Sequence, residues 1–250
     1  MKITLFGGHG YLGSHLAAEL RHFGHDVHQL GRDPAVWTGL DEPDRFLHLA
    51  CPRNKPGVWS WRKAMEAHAT AVALQQDTGT PPDQCLFISS LSVFDSPGNE
   101  YGHFKAMAER EVLARGWRVA RLPTLLGTCD GVNLYRRDLG LHEIANMLAN
   151  DCRATVNPDA VRHVDWIGRV VRELAAWCSA PVDFPKVWSL SEGVVAFEQI
   201  VGPRVAVVNG ERQTYVTTCG EPMVMSDVHL LRKRFNELVA AIKDRSAKSC

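Results

Sequence analysis

The opening of the chain constrains the fold more than any other stretch. A strand-length run, Lys2–Phe6, ends in glycines at positions 7, 10 and 13, and a helical apolar pattern then continues to Gly24. A strand, a glycine-rich turn and a helix in this order form the first half of a dinucleotide-binding βαβ unit. The glycines permit the tight turn and close backbone approach, and the helix N-terminus attracts phosphate. We predict a nucleotide site here, with a ligand-free glycine-rich turn as the alternative.

Composition excludes several classes of function. The 250 residues include 28 basic and 28 acidic side chains, so no basic field indicates nucleic acid. The longest apolar stretches are strand-length, shorter than the ~20 residues that cross a bilayer, so we expect no membrane span. The N-terminus leads directly into a predicted strand, so we expect no signal peptide. Seven scattered cysteines favour reduced thiols in a cytoplasmic protein and indicate neither disulfides nor a metal site.

The residues after the second predicted strand, Val27–Leu30, bear on the choice of cofactor. This strand end meets the adenosine ribose in dinucleotide-binding folds, where an Asp or Glu favours NAD. Here Gly31 and Arg32 follow the strand, and a guanidinium can bind a 2′-phosphate through two donors. We therefore expect NADP, with NAD possible; in the alternative, Arg32 is a solvated loop residue and Asp33 serves the ribose.

Strands and helices continue to alternate along the chain. The segment between Asp33 and Asp44 is too short for a helix and a strand, so we expect a trimmed sheet there, with Val36-Trp37 as a remnant. Arg45–Ala50 then predicts a buried strand whose end lies beside the cofactor. A helix over 61–76 follows, and Pro81-Pro82 separates it from another strand, Cys85–Ser90.

A second informative stretch follows that strand. Tyr101 and Lys105 lie four residues apart on a predicted helix and project from one face. A phenol has an unperturbed pKa near ~10, and a fixed ammonium nearby lowers it enough for proton transfer. A serine hydroxyl at the end of the preceding strand can hold a substrate carbonyl against this phenol. The pattern predicts acid–base chemistry beside the nucleotide site.

Taken together, these motifs resemble those of the short-chain dehydrogenase/reductase superfamily, in its extended branch of sugar-nucleotide epimerases, dehydratases and reductases. The similar stretches are Gly7–Gly13, His48–Ala50, Ser89–Phe94, Tyr101–Lys105, Arg121–Gly127 and Arg162–Trp166. They cover about residues 1–177 in the family's order. The resemblance implies an α/β fold, a Rossmann-type doubly wound parallel sheet with a small C-terminal substrate lobe. It places the dinucleotide-binding core at 1–127 and a mixed region at 128–250, with core elements returning at 163–177 and 186–191.

The resemblance also implies roles for individual residues. Tyr101 would be the acid or base, Lys105 would lower its pKa and hold the nicotinamide ribose, and Ser90 would bind the reacting oxygen. Pro123 would pack along the nicotinamide. The predicted cofactor-binding residues are Gly7, Gly10, Tyr11, Leu12, Gly13, Arg32, Leu49, Ala50, Tyr101, Lys105 and Pro123. His68 stands where the family often has an Asn, and we assign it no role.

The C-terminal region carries fewer signals. We expect helices over 141–148 and from a cap at Ser226 or Asp227, a returning strand over 187–190 and a hairpin turning at Asn209-Gly210. The buried face of the closing helix is predicted to carry Val228, Leu231, Phe235, Leu238 and Ile242. Three arginines, Arg136, Arg137 and Arg162, are candidates for a substrate phosphate, although surface arginines are usually solvated.

The resemblance implies an NAD(P)-dependent oxidoreductase acting on a carbinol or ketone carbon of a small molecule such as a nucleotide-linked sugar. A reductase is favoured over an NAD-retaining epimerase or dehydratase by Arg32 and the compact lobe. A non-catalytic NADP sensor is a second alternative, but such relatives commonly lose the Tyr/Lys pair that this chain keeps. A homodimer built on helices 61–76 and 103–115 is also expected.

Overall fold

The computed structural model describes most of the chain. The described residues are 1–31, 42–51, 59–94, 99–127, 140–150, 152, 155–156, 161–180, 184–191, 193–201, 206–207 and 225–248. Arg32, Asp33, Val36-Trp37, Arg136, Arg137 and the predicted Asn209-Gly210 hairpin lie outside these ranges.

A six-stranded parallel sheet forms the centre of the protein. Its strands run in the order β2-β1-β3-β4-β5-β9. They are β1 (Lys2–Phe6), β2 (Asp26–Leu30), β3 (Arg45–His48), β4 (Cys85–Ser90), β5 (Arg118–Leu122) and β9 (Val187–Ser189). The chain order reverses at β1, so β1 and β3 flank the crevice in which such sheets bind their ligands. The predicted α/β doubly wound fold is confirmed.

Helices cover both faces of this sheet, which explains why inner strands such as β1 and β4 are nearly continuous apolar runs in the sequence. One face packs against α1 (Tyr11–His22) and α5 (Ile167–Ser179), in a core that includes Leu5, Leu16 and Val170. The other packs against α2 (Trp61–Thr78) and α3 (Glu100–Ala114), around Phe87 and Phe104. Because successive strand residues alternate between faces, neighbours such as Phe87 and Ile88 belong to different cores.

A smaller lobe packs around its own core. Its three-stranded sheet has the order β10-β8-β6, from β6 (Thr124–Leu126), β8 (Val161–Trp166) and β10 (Val194–Ala196). The short strands β7 (Thr155–Val156) and β11 (Ala206–Val207) pair with each other. Among the described residues of the lobe, three helices flank these strands: α4 (Gly140–Ala149), α6 (Phe197–Val201) and α7 (Met225–Lys248).

The closing helix agrees with its prediction on one point and differs on another. All five predicted inner residues are buried in the lobe core: Val228, Leu231, Phe235, Leu238 and Ile242. The predicted cap is wrong, because α7 begins at Met225 and places Ser226 and Asp227 inside the first turn. An aspartate there still favours the helix through the positive end of its dipole. The returning strand is confirmed, since β9 joins the main sheet beside β5.

Candidate functional site

The glycine turn closes tightly against the end of β3. Gly7 has φ +89° and donates from its backbone N to Leu30 O at 2.9 Å. A Cβ at Gly7 would lie 2.6 Å from Ala50 N, and one at Gly13 would lie 2.5 Å from Gly8 O. Real Cβ atoms essentially never approach so closely, so these positions require glycine for steric reasons. The structure thus brings the predicted Leu49-Ala50 strand end against the turn.

The helix α1 begins directly after the glycine turn. Its N-cap is Gly10, whose extended backbone (φ −74°, ψ 176°) offers no side chain to the first N–H groups. No acidic residue lies in this first turn. The hydroxyl of Tyr11 donates to Gly127 O at 2.5 Å, so this side chain ties the turn to the start of the lobe. The backbone N–H groups around Leu12 and Gly13 therefore lie at the positive end of the helix dipole.

Tyr101 is positioned by the start of α3. Asn99 is the N-cap of this helix and accepts hydrogen bonds from Tyr101 N at 3.1 Å and Gly102 N at 3.2 Å. The first turn of α3 packs so closely on the segment after β4 that a Cβ at Gly102 would overlap Ser92 O. The edge of the Trp59 ring also contacts Tyr101, with centroids 5.1 Å apart. The sequence analysis missed Asn99, Gly102 and Trp59, although an Asn two residues before Tyr101 is a recognisable cap signal.

Lys105 lies inside the layer between the sheet and α3. It is 3% exposed and donates from Nζ to Ile88 O at 2.8 Å. Its ammonium lies 4.6 Å from the centroid of the Phe87 ring and 5.9 Å from that of Tyr101. Burial lowers the pKa of Lys105 below its usual value, while Cys51 and Glu109 act in the opposite direction. The predicted Tyr/Lys pair is thus brought together on one face of α3.

Ser90 lies at the carboxyl end of β4, where a short 3-10 helix, Leu91–Phe94, begins. Its Oγ accepts from Ser92 N and donates to Ser92 Oγ, both at 3.2 Å. The preceding Ser89 faces the opposite side of the sheet, and its buried Oγ has no partner among the described residues. Ser90 is therefore the serine at the strand end beside the start of α3.

Two other predicted site residues have clear positions. Pro123 is buried between β5 and β6. Arg162 is half-buried on β8, opposite Val195 of β10 in the small sheet. This places Pro123 at the end of a central strand and Arg162 in the lobe.

A buried histidine pair adjoins the catalytic candidates, and its role was not predicted. His68 on α2 lies with Nδ1 3.3 Å from His48 Nε2 and Nε2 3.2 Å from Glu111 Oε2 on α3. Burial lowers the pKa of His48 well below its usual value, and the charges of His68 and Lys105 lower it further. Burial also lowers the pKa of His68; Glu111 opposes this, while Lys105 and Arg115 add to it. Both imidazoles are therefore neutral near pH 7.

Comparison with known proteins identifies the fold. No protein-family model matches the sequence, and no match was found among curated proteins. Solved structures do match over nearly the whole chain. MoeE5, in complex with UDP-glucose and NAD, is similar with a TM-score of 0.73, 17% identity and coverage of 99% of this chain and 100% of that one. The chain has the same fold.

Two further structures extend this likeness. TunA, an NAD-dependent NDP-hexosamine 5,6-dehydratase of tunicamycin biosynthesis, has a TM-score of 0.69 at 16% identity, covering 96% of this chain and 97% of its own. The UDP-N-acetylglucosamine 4-epimerase of Bacillus cereus has a TM-score of 0.66 at 13% identity, covering 96% of both chains. The fold implied by the sequence motifs is therefore confirmed by structures that cover it end to end.

The described part of the chain contains neither a metal-binding cluster nor a membrane-spanning helix. No group of three or more His, Cys, Asp or Glu side chains there is arranged to hold a metal ion. No helix within the same ranges is both long and apolar enough to cross a membrane.

Proposed function

We propose that the protein is an NAD(P)-dependent oxidoreductase acting on a carbinol or ketone carbon of a nucleotide-linked sugar. One observation carries the proposal: Tyr101 and Lys105 share a face of α3, and this helix begins against the segment after Ser90. The glycine turn of β1 lies at the same edge of the sheet. The proposed acid–base groups and the proposed phosphate-binding turn therefore lie at the same edge of the sheet, the edge at which such folds bind nucleotides.

The residues present fit a nicotinamide dinucleotide. Gly7, Gly10 and Gly13 would let the turn at the α1 N-terminus hold a pyrophosphate, and the backbone of Tyr11 and Leu12 would face it. Leu49, Ala50 and Pro123 would line the remainder of the site, and Lys105 would hold the nicotinamide ribose. The bound cofactor supplies a hydride acceptor or donor.

The side chains of the protein handle the proton that accompanies the hydride. Ser90 would hold the reacting oxygen, and Tyr101 would take the hydroxyl proton during oxidation or return it during reduction. The Lys105 ammonium, 5.9 Å from the centroid of the Tyr101 ring, would favour the charged phenolate during proton transfer. The region from residue 128 onward would form the substrate lobe, apart from the elements that return to the main sheet and its helices. Within this lobe, Arg162 would contact a substrate phosphate.

The cofactor preference rests on a single arginine. Arg32 follows the strand end that meets the adenosine ribose, and this supports NADP. The similar structures MoeE5 and TunA are described with NAD, and this supports the alternative of an epimerase or dehydratase that retains NAD⁺. A non-catalytic NADP sensor is less well supported, because the Tyr101/Lys105 pair is retained.

We further propose a cytoplasmic homodimer. Cys51, Cys85, Cys152 and Cys178 are free thiols, as expected in a reducing compartment. On the outer side of α2 and α3, Trp61 is 39% exposed and stacks on His103 with centroids 5.9 Å apart. Sedimentation velocity tests self-association, and Trp61→Glu should shift a dimer toward monomer.

Replacement of Tyr101 by Phe tests the catalytic proposal. The substitution removes only the hydroxyl, so the Trp59 contact and nucleotide binding should persist. Turnover of a UDP-sugar in a nucleotide absorbance assay should fall by about 10²–10⁴-fold, the usual contribution of a general acid or base. Unchanged turnover would disprove the assignment of Tyr101.

A further inference from the structure

One backbone position, Gly127, joins the lobe to the glycine turn. It follows β6 with φ +90°, and its N–H donates to Nε2 of His142 on α4 at 3.2 Å. Its carbonyl accepts from the hydroxyl of Tyr11, the first residue of α1. A Cβ at Gly127 would lie 3.2 Å from the ring of Trp166. The peptide groups of Gly127 are therefore held by a lobe helix on one side and by the start of α1 on the other.

The side chain of Tyr11 is enclosed by two histidines. Tyr11 is 6% exposed and His142 is 0% exposed. The His142 ring lies edge-on to the Tyr11 ring with centroids 5.2 Å apart, and the His15 ring lies 4.9 Å from the same ring. His15 Nδ1 also lies 2.7 Å from Tyr11 O. The first residue of α1 is thus packed between its own helix and a helix of the lobe.

The donors and acceptors of this cluster allow a single arrangement. A backbone N–H only donates, so His142 must accept from Gly127 at Nε2 and carry its proton on Nδ1. The Tyr11 hydroxyl has one proton, which it donates to Gly127 O. Its oxygen, 3.4 Å from His142 Nε2, therefore contacts this nitrogen without donating to it. His142 and Tyr11 act on the two ends of one residue and not on each other.

The lobe side of this junction is packed on every element that reaches it. Trp166 packs against the core of the main sheet and against the core of the lobe. Arg234 of α7 lies over its ring at 4.1 Å and Arg172 of α5 at 5.0 Å. Leu141, next to His142, is fully buried in the lobe core. Because packed interiors transmit displacements, a movement of α4 must also move Gly127.

We propose that His142 is a positioning residue for the nucleotide site and that, through Gly127 and Tyr11, it couples nucleotide binding to the placement of α4. Tyr11 begins the helix whose N–H groups would face the pyrophosphate, so a shift of its hydroxyl partner misaligns the turn. Coupling of this kind is reciprocal. The placement of α4 strengthens nucleotide binding, and bound nucleotide stabilises α4 by the same factor. The coupling rests on the proposed nucleotide site, and it prepares the substrate lobe when the cofactor binds.

Nucleotide affinity gives the first test. His142→Leu removes the acceptor but keeps a buried apolar side chain, and it should weaken NADPH or NADH binding by about fivefold or more in calorimetric titration. His142→Gln should restore most of the affinity, because a glutamine amide oxygen can replace Nε2 as the acceptor for Gly127. The matched control is Ile144→Val, which loosens the same helix in the lobe core and leaves the acceptor in place.

The expected result is a loss of affinity in His142→Leu alone among these three variants. Equal affinity in the wild type and His142→Leu would overturn the proposal. Equal losses in His142→Leu and His142→Gln, or in His142→Leu and Ile144→Val, would show a packing role and would overturn it as well.

A double-mutant cycle tests whether the effect passes through Gly127. Tyr11→Phe removes only the hydroxyl that Gly127 accepts, and it should weaken nucleotide binding by a factor similar to that of His142→Leu. Because both changes break one connection, the double variant should lose little more affinity than either single variant. Losses that multiply would show two independent effects and would contradict the proposed connection.

Hydrogen exchange in the full-length protein measures the reverse effect. Saturating nucleotide should slow the exchange of the amides of α4, residues 140–149, by about the factor by which His142→Leu weakens binding. In His142→Leu this protection of α4 should disappear while that of α1 persists, a pattern that lowered stability alone does not produce. Absence of nucleotide-dependent protection of α4 in the wild type would overturn the coupling.

The outcomes separate the coupling from the proposed function. Nucleotide binding that His142→Leu does not alter would refute the coupling and leave the oxidoreductase intact. Absence of nucleotide binding in the wild type would refute the nucleotide site and the coupling with it. In steady-state assays, a raised nucleotide KM with an unchanged kcat in His142→Leu would support a positioning role.

Discussion

Gly102→Ala is predicted to impair catalysis while leaving nucleotide binding nearly intact. Gly102 lies in the first turn of α3, where alanine is normally better than glycine by about 0.5–1 kcal/mol. Here the added Cβ would overlap Ser92 O and lie 3.0 Å from Ser92 C, both backbone atoms that no rotamer change can move. The start of α3 must therefore shift by about 1 Å from the Ser90–Ser92 segment, a displacement that can cost about 100-fold in rate.

The thermal stability of Gly102→Ala tests the same contact between Gly102 and Ser92 independently of catalysis. Overpacking of this kind costs about 1–3 kcal/mol, which lowers Tm by roughly 2–12 °C for a chain of this size. Gly24→Ala is the matched control, because a Cβ there meets nothing within 4 Å and only the positive φ of +79° is strained. Steady-state assays should show kcat/KM reduced about 100-fold in Gly102→Ala alone. A more stable Gly102→Ala variant with wild-type kcat/KM would refute the proposed packing of α3.

Three further predictions concern other parts of the site. Gly13→Ala places a Cβ 2.5 Å from Gly8 O and 2.7 Å from Gly7 O. Calorimetric titration should therefore show nucleotide affinity reduced by tenfold or more, which is about 1.4 kcal/mol. Unchanged affinity would show that the phosphates bind elsewhere. Asn99→Ala removes the N-cap of α3 and should lower the free energy of unfolding in urea by about 1 kcal/mol; equal stability would show that the cap bonds contribute nothing. The pKa values of His48 and His68 are lowered in the folded protein. Below pH 6.5 the unfolded chain therefore binds more protons than the folded protein, so the free energy of unfolding should fall as the pH falls. The expected loss is up to about 1.4 kcal/mol per pH unit for each residue. His68→Leu should flatten that slope, and a slope identical to wild type would contradict the assignment.

Local patterns in the sequence were sufficient to predict most of the fold. A strand buried on both faces is a nearly continuous apolar run, so Cys85–Ser90 was recognisable from its sequence. The steric demand for glycine at the turn is equally local, because Gly7 and Gly13 act within one βα connection. The Tyr101/Lys105 pair was predictable because four-residue spacing on a helix determines a shared face.

The features that were missed depend on contacts between distant segments. His48, His68 and Glu111 lie on three separate elements, so no spacing in the sequence indicates that they form a chain. The role of Gly102 depends on the carbonyl of Ser92, ten residues earlier, and that of Trp59 on the approach of α2 to α3. The predicted start of α7 differs from the observed one because Ser226 and Asp227 are favourable both as N-caps and within the first turn of a helix.

The most direct test of the account is to identify the nucleotide that the protein binds. Nucleotide retained on freshly purified protein would be released with acid and identified by mass, and the remaining sites would be titrated with NADPH and NADH. We expect binding at the glycine turn with NADPH preferred by tenfold or more, and we expect Arg32→Ala to abolish this preference. Stoichiometric NAD⁺ that cannot be washed out would contradict the NADP preference and favour the epimerase or dehydratase. Binding of neither nucleotide would contradict the central claim.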